Sequence, residues 1–243
     1  MASGFFAILD DIAALMDDVA MTTKLATKKT AGILGDDLAV NAEKATGFLS
    51  SRELPVLWAI TKGSFLNKLI ILPIIFLLNW LFPVAIKVIL VIGGLYLAYE
   101  GVEKIIEYLF HKNEHKTDHE EALDVMVDPE AIEKAKVKSA ITTDFILSLE
   151  IVIIALSSAL DKPLIQQIVT VTLVSIIATI GVYGIVALIV RMDDAGYKLQ
   201  KKSKKEGGFL FSIGQLLINM LPWVIKILGV VGTIALILVA GGI

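Results

Sequence analysis

Carboxylates set in apolar surroundings are the residues of this sequence best placed to do chemistry. Glu150 lies between ILSL (146–149) and IVIIAL (151–156). An ionisable side chain at the centre of a membrane helix costs about 2.5–3.5 kcal/mol on insertion scales, and such groups normally face a bundle interior or water. A carboxylate in that setting takes up a proton or a cation. Thr143, Glu150 and Ser157 recur at steps of seven and Asp161 follows four later, so all four share one stripe of a helix. Asp144 opens the same segment. In the next apolar stretch Thr172, Ser175, Thr179 and Tyr183 are aligned in the same way. Two polar stripes on neighbouring helices would make an internal path for an ion or proton. Hydroxyls that bond their own backbone, or small residues that allow close packing, give the same pattern.

A second acidic set lies near the amino terminus, in FFAILDDIAALMDDV (5–19). Phe5, Ile8, Leu9, Ile12, Leu15, Met16 and Val19 build one apolar face of a helix. Asp10 and Asp17 form one row opposite it, and Asp11 and Asp18 an adjacent row. One reading is an interfacial helix with a solvated acidic side. Interfacial helices normally carry Lys and Arg there, because the cytoplasmic leaflet is anionic. The sharper expectation is therefore that this face lines a polar cavity and attracts cations. Asp36, Asp37 and Asn41, in LGDDLAVNAEK (34–44), are hard oxygen donors of the kind divalent cations prefer, although a turn and helix cap explain them equally well. His111, His115 and His119 fall on one helix face in HKNEHKTDH, but the competing lysines favour a solvated loop over a metal site.

No phosphate loop, His-Glu-x-x-His pattern, nucleophile elbow or dinucleotide fingerprint is present, so an enzyme is not expected. No cofactor is required, a divalent cation being the one candidate. With 22 basic and 25 acidic residues the net charge of −3 offers no field for nucleic acid. The absence of cysteine excludes disulfides and thiolate metal sites.

The elements that must hold these residues are membrane helices. Of the 243 residues 56% are hydrophobic and 19% charged, against about 25% charged in a soluble domain, and mean hydropathy is +0.78. The sequence divides into an amphipathic, acidic, cytoplasm-facing region (1–64), a membrane hairpin (65–99), a charged loop (100–143), a second hairpin (144–190), a basic loop (191–208) and a third hairpin (209–243). The last is expected to break at Pro222, because 35 residues of helix are roughly 52 Å long, too much for one span. Eighteen of the 22 basic residues lie on one side of these hairpins. The positive-inside rule then places the amino terminus and both loops in the cytoplasm. No secretory signal is expected, since the first basic residue is Lys24. Lys68, Lys87 and Lys226, near hairpin ends, are expected to snorkel, with pairing to Glu150 or an aspartate an alternative for Lys87 or Lys226. A shift of 139 residues superposes Asp11 on Glu150, Pro83 on Pro222 and Lys87 on Lys226, consistent with two related halves of like orientation.

The motifs LDDIAALMDD (9–18), KKTAGILGDDLAVNA (28–42), RELPV (52–56), YEGVEK (99–104), TDFILSLEIV (143–152) and DDAGY (193–197) resemble the YedI-like inner-membrane proteins over nearly the whole chain. That uncharacterised family implies a multi-pass protein of the bacterial inner membrane, and it supplies no substrate or catalytic residue. LEIV at Leu149–Val152 is also similar to a helix opening of the tellurite-resistance TerC-like metal exporters. Their Asp-Asn pair would fall on Leu156 and Ser157, so only a leaning toward cations carries over.

The expectation is an all-α polytopic membrane protein, a secondary transporter or ion-handling protein with a proton or cation site on Glu150 and the Asp11/Asp18 face. The competing expectation is a scaffold or envelope-stress factor that binds protein or lipid partners. Membrane lipids, a small cation or proton, and a second copy of the chain are the expected partners.

Overall fold

In a bilayer the backbone finds no water, so apolar segments close their own hydrogen bonds as helices. The computed structural model describes residues 2–45, 50–110, 129–203 and 208–241. Among them are seven helices and no strand: α1 (Ala2–Ala45), α2 (Ser50–Leu81), α3 (Pro83–Phe110), α4 (Pro129–Ser157), α5 (Leu164–Val190), α6 (Met192–Lys202) and α7 (Phe209–Ala240). Five stretches are long and apolar enough to cross a membrane: Arg52–Leu81, Pro83–Ile106, Glu130–Ser157, Leu164–Lys202 and Phe209–Ala240.

Two tight turns define one end of the bundle. Pro83 opens α3, where its missing N–H costs nothing, and the Ala85 amide bonds the Phe82 carbonyl at 2.9 Å. Between α4 and α5 the chain turns through residues 158–163. The Gln167 amide donates to the Lys162 carbonyl at 2.8 Å and in turn accepts from Asn79 of α2, which ties the two turns together.

α1 departs from its expected place. Residues 6–18 are exposed and project past the turns, but from Val19 onward the helix buries Thr22, Ala26, Thr30, Ile33 and Asp37, one per turn. Ala26 packs in one cluster with Ile75, Ile86 and Leu156 near the turns. Ile33 packs with Leu97, Ile151 and Ile154 further along, and Ala42 and Ala45 with Val56 and Val186 near the far end. Residues 19–45 therefore run the length of the bundle, antiparallel to α4, and 1–64 is not a one-sided cytoplasm-facing region. The two ends of α1 lie at opposite ends of the molecule. The reason is a small-residue surface that its charges conceal. A Cβ on Gly232 of α7 would come within 2.5 Å of the Asp36 backbone nitrogen, and one on Gly32 within 2.9 Å of Val239. Backbones this close need glycine on the facing helix.

α7 also differs from expectation. It is one continuous helix with Pro222 inside it, not a hairpin. Its first turns pair with α6, where Gln200 donates to Gln215 at 2.8 Å, so only the remainder lies along the other helices. A proline inside a packed membrane helix removes one donor without ending the helix, and α2 likewise contains Pro55 and Pro73. The 139-residue shift pairs α3 with α7, yet Lys104 and Leu97 of α3 meet α1 at the levels of Gly232 and Val239 respectively. The two helices run in opposite directions, so the shift does not relate two halves of like orientation.

Candidate functional site

Four helices place polar side chains around Asp144, which is 1% exposed. On α2, Ser64, Asn67 and Lys68 share one face by their spacing of three and four; on α4, Asp144 and Ser148 are one turn apart. α5 supplies Tyr183, and α1 supplies Asp37 and Asn41. Ser64 donates to Asp144 Oδ1 at 2.8 Å and the Tyr183 hydroxyl donates to the same oxygen at 2.8 Å. Asn67 donates to Oδ2 at 2.9 Å and Ser148 at 3.2 Å. Lys68 Nζ donates to Ser64 at 2.9 Å and to Ser148 at 2.8 Å, so the two serine hydroxyls bridge the ammonium to the carboxylate. Asn41 Oδ1 lies 3.2 Å from the Tyr183 hydroxyl, while the Asn41 amide donates to the Asp37 carboxylate. Every oxygen of Asp144 is thus satisfied, which is what a buried carboxylate requires.

A second centre adjoins the first. Lys104 of α3 bonds Asp36 of α1 through both carboxylate oxygens, at 2.6 and 2.7 Å, and lies 3.1 Å from Glu100. Glu150 of α4 has Glu100, Asp36, Lys104 and Asp37 as its charged neighbours. It is buried, and among the described residues neither of its carboxylate oxygens has a hydrogen-bond partner. The two centres meet on α1, where Asp36 faces α3 and the adjacent Asp37 faces the Asp144 network. Together they hold Asp36, Asp37, Glu100, Asp144 and Glu150 against Lys68 and Lys104, five carboxyl groups and two ammonium groups.

Aromatic residues mark how deep these groups lie. Trp80, at the turn end of α2, and Trp58, toward its other end, are both largely exposed. Their 22-residue separation is about 33 Å of helix, close to the hydrocarbon thickness of a bilayer. Lys62 stacks on Trp58 at 5.4 Å, and Lys226 on Trp223 of α7 at 5.9 Å. Lys68 sits roughly 15 Å of helix from Trp58 and 18 Å from Trp80, near the middle of the span.

The structure brings together some of the expected site residues and separates others. Glu150, Asp144 and Tyr183 are at the centres, and so are Asp36 and Asp37, expected only as weak metal donors or a turn. Those two aspartates point to different partners, and among the described residues no group of three or more His, Asp or Glu side chains could hold a metal ion. Asp10, Asp11 and Asp17 are exposed on the projecting part of α1, and exposed Asp18 accepts from Gln166 at 3.1 Å. They line no cavity with Glu150, because α1 passes the turns before it enters the bundle. Asp161 is exposed in the α4–α5 turn. Ser157 and Thr179 bond their own helix backbone, at 2.7 and 2.9 Å, as membrane hydroxyls often do. Ser175 is buried with no partner for its hydroxyl among the described residues, and Thr172 is half-buried. His111, His115 and His119 lie outside the described residues. Lys87 is exposed one turn from Pro83, as snorkelling requires, whereas Lys68 is 6% exposed and does not snorkel. Asn41, expected like Asp36 and Asp37 only as a weak metal donor, joins the Asp144 network instead, and Lys68, Ser64, Asn67 and Ser148 are the members that sequence reasoning missed.

Residues 3–243 match the model of a family described as protein of unknown function, DUF808. No curated protein and no solved structure matches the chain.

Proposed function

The chain belongs to the DUF808 family, and from that premise we propose that it is a secondary transporter or ion-handling protein, not an enzyme, that binds a proton or small cation at the two buried acidic centres. Its motifs resemble those of the YedI-like proteins, which supports a location in the bacterial inner membrane. One observation carries the reading: among the described residues the two centres hold five carboxyl groups and two ammonium groups, and no hydrogen bond reaches the Glu150 carboxyl. An uncompensated carboxylate in low dielectric is too costly to persist, so the excess charge is met by protons or by cations. Lys68, held on two serines, stabilises Asp144 in place; Glu150 is the group free to exchange its proton or bound ion. By the positive-inside rule the end carrying α6 and the basic segments faces the cytoplasm, and α1 begins on the other side.

The test is flux in proteoliposomes with a pH-sensitive interior dye, under imposed Na⁺, K⁺ and Mg²⁺ gradients. Wild type should move protons or one cation, and Glu150→Gln should abolish that movement while the protein still reconstitutes. Equal flux through both for every ion removes the assignment. The alternative, a scaffold for protein partners, draws on the projecting residues 6–18 of α1, which expose Phe6, Ile8, Leu9 and Met16 beside four aspartates.

A further inference from the structure

Lys104 has no hydrogen left for Glu150. An ammonium group carries three N–H donors. Those of Lys104 go to the two Asp36 oxygens, at 2.7 and 2.6 Å, and to Glu100 Oε1, at 3.1 Å. Glu150 lies in the field of all three groups and of Asp37. Both Glu150 oxygens are closed to solvent and, among the described residues, make no hydrogen bond. An ionised Glu150 would therefore face three carboxylates and one ammonium that two of them already neutralise. The other groups around it bring no relief. Tyr96 of α3 is a phenol, and Tyr183 of α5 donates to Asp144. Lys68 of α2 is held by two serines, and Lys226, the one charged residue of α7, lies over Trp223.

A metal ion fits this place poorly. Magnesium and calcium take six or more oxygens at about 2.0–2.6 Å. Asp36 and Glu100 are turned to Lys104, and among the described residues no group of three or more acidic or histidine side chains could hold an ion. A proton needs neither a cavity nor further ligands.

Exposure sets where such a proton goes. The Glu100 and Lys104 side chains are 21% and 26% exposed, against 3% for Asp36. Leu97 packs with Ile151, so Glu100, about one turn further along α3, lies beside Glu150 and nearer the α6 end. Lys104 is about 31 Å of helix from Pro83 at the turns, close to the full hydrocarbon thickness. Glu100 and Lys104 thus stand at the edge of the membrane core, and Glu150 stands inside it.

We propose that Glu150 carries a proton, not a metal ion, and hands it to Glu100 by exchanging partners with Lys104, a step that rests on the exchange at Glu150 proposed above. In the described state Glu150 is the neutral acid and Glu100 the carboxylate paired with Lys104. In the step the Glu150 O–H bond breaks, an O–H bond forms at Glu100, and one Lys104 N–H moves from Glu100 to the Glu150 carboxylate. The ammonium keeps its three protons, and the charge of the group is unchanged. Asp36 holds the other two Lys104 hydrogens, so a swing of the flexible stem suffices. Glu100, partly exposed, then releases the proton to water at the α6 end.

The test uses the full chain in liposomes and infrared difference spectra of protonated carboxyl groups. Wild type should show an acid carbonyl band that shifts in deuterium oxide and is missing in Glu150→Gln. Alkali should remove that band, and Na⁺, K⁺ or Mg²⁺ at fixed pH should not. Lys104→Met, which lacks the counter-charge, should keep the band at an alkaline pH where wild type and Lys104→Arg have lost it. Glu100→Gln should slow deuterium exchange at the band by at least about tenfold, and Glu103→Gln, exposed on the same helix, should not. The proposal is overturned by a band that a cation removes, by the lack of any band dependent on Glu150, by wild-type titration in Lys104→Met, or by wild-type exchange in Glu100→Gln. None of these readings depends on flux. A wild type with these spectra that moves no protons in proteoliposomes removes the transport reading and leaves the exchange standing. Proton flux with exchange unslowed in Glu100→Gln removes the exchange alone.

Discussion

Asp144 and Lys68 offer the sharpest test of the central network, because they are coupled without touching. The ammonium reaches the carboxylate only through Ser64 and Ser148. Asp144→Asn preserves shape but removes the charge, and it turns one acceptor oxygen into an amide facing the Asn67 amide, donor against donor. It also leaves Lys68 buried with Asp37 as its remaining charged neighbour. Lys68→Met leaves Asp144 ionised without its counter-charge. Removing one partner of a buried ionic network costs about 3–5 kcal/mol. For a chain of this size each kcal/mol lowers the melting midpoint by about 2–4 °C, so each single change should cost roughly 6–20 °C. Replacing both partners removes the charge altogether, and such double replacements are often close to neutral. The double variant should therefore be no less stable than either single one, so the coupling is at least as large as one single cost, about 3 kcal/mol or more. The assay is reversible unfolding in mixed micelles, followed by circular dichroism for all four proteins of the cycle. Costs that add to within about 0.5 kcal/mol would refute the claim that the serines transmit the charge interaction.

Tyr183→Phe removes one donor to the Asp144 carboxylate together with the hydroxyl's contact to Asn41; a hydrogen bond to a charged group is worth about 1.5–3 kcal/mol, so an unchanged unfolding midpoint would show that the bond is not made. Gly232→Val places its Cβ 2.5 Å from the Asp36 nitrogen and must push α7 off α1, whereas a Cβ on Gly229 meets only Ala39, at 4.0 Å. The clash made by Gly232→Val should cost at least the about 1–3 kcal/mol typical of overpacking, and Gly229→Ala should be silent in the same thermal scan; equal behaviour of the two would deny the close crossing.

Some of this was legible in the residues and some was not, for identifiable reasons. Glu150 stands out because it is a lone charge in a long apolar run, and no other cause puts an acid there. The two hairpins turn where proline and phenylalanine, or aspartate, lysine and proline, interrupt apolar sequence. Lys68 is missed because apolar residues dominate only from about residue 65 onward, which puts the lysine at a helix entrance. In fact α2 begins at Ser50, and its first turns carry Arg52, Glu53 and Lys62, whose polarity hides the apolar face made by Val56, Leu57 and Ile60. Asp36 and Asp37 resembled a turn because Gly-Asp-Asp followed by Asn is turn-forming chemistry. Only tertiary packing distinguishes that reading from two buried acids on a continuous helix. Pro222 misled in the same way, since sequence shows the lost donor but not the neighbouring helices that keep α7 intact.

α1 shows why the hardest part to read is also the part that makes the site. Its charges, four lysines, six aspartates and Glu43, argue for a peripheral helix by any hydropathy measure. Its packing surface is written instead in residues that contribute little hydropathy: Ala26, Gly32, Gly35, Ala39, Ala42 and Ala45. Small residues bring α7 close enough that Gly232 rests on the backbone at Asp36. Successive residues on a helix point about 100° apart. With α7 packed on the backbone there, one aspartate of the adjacent pair is directed to Lys104 and the other to the Asp144 network. A single segment of six residues, from Gly32 to Asp37, thus provides both the close helix crossing and the link between the two acidic centres. Any displacement of α1 along α7 must change Asp36 and Asp37 together, so the surroundings of Glu150 and of Asp144 are tied to one element.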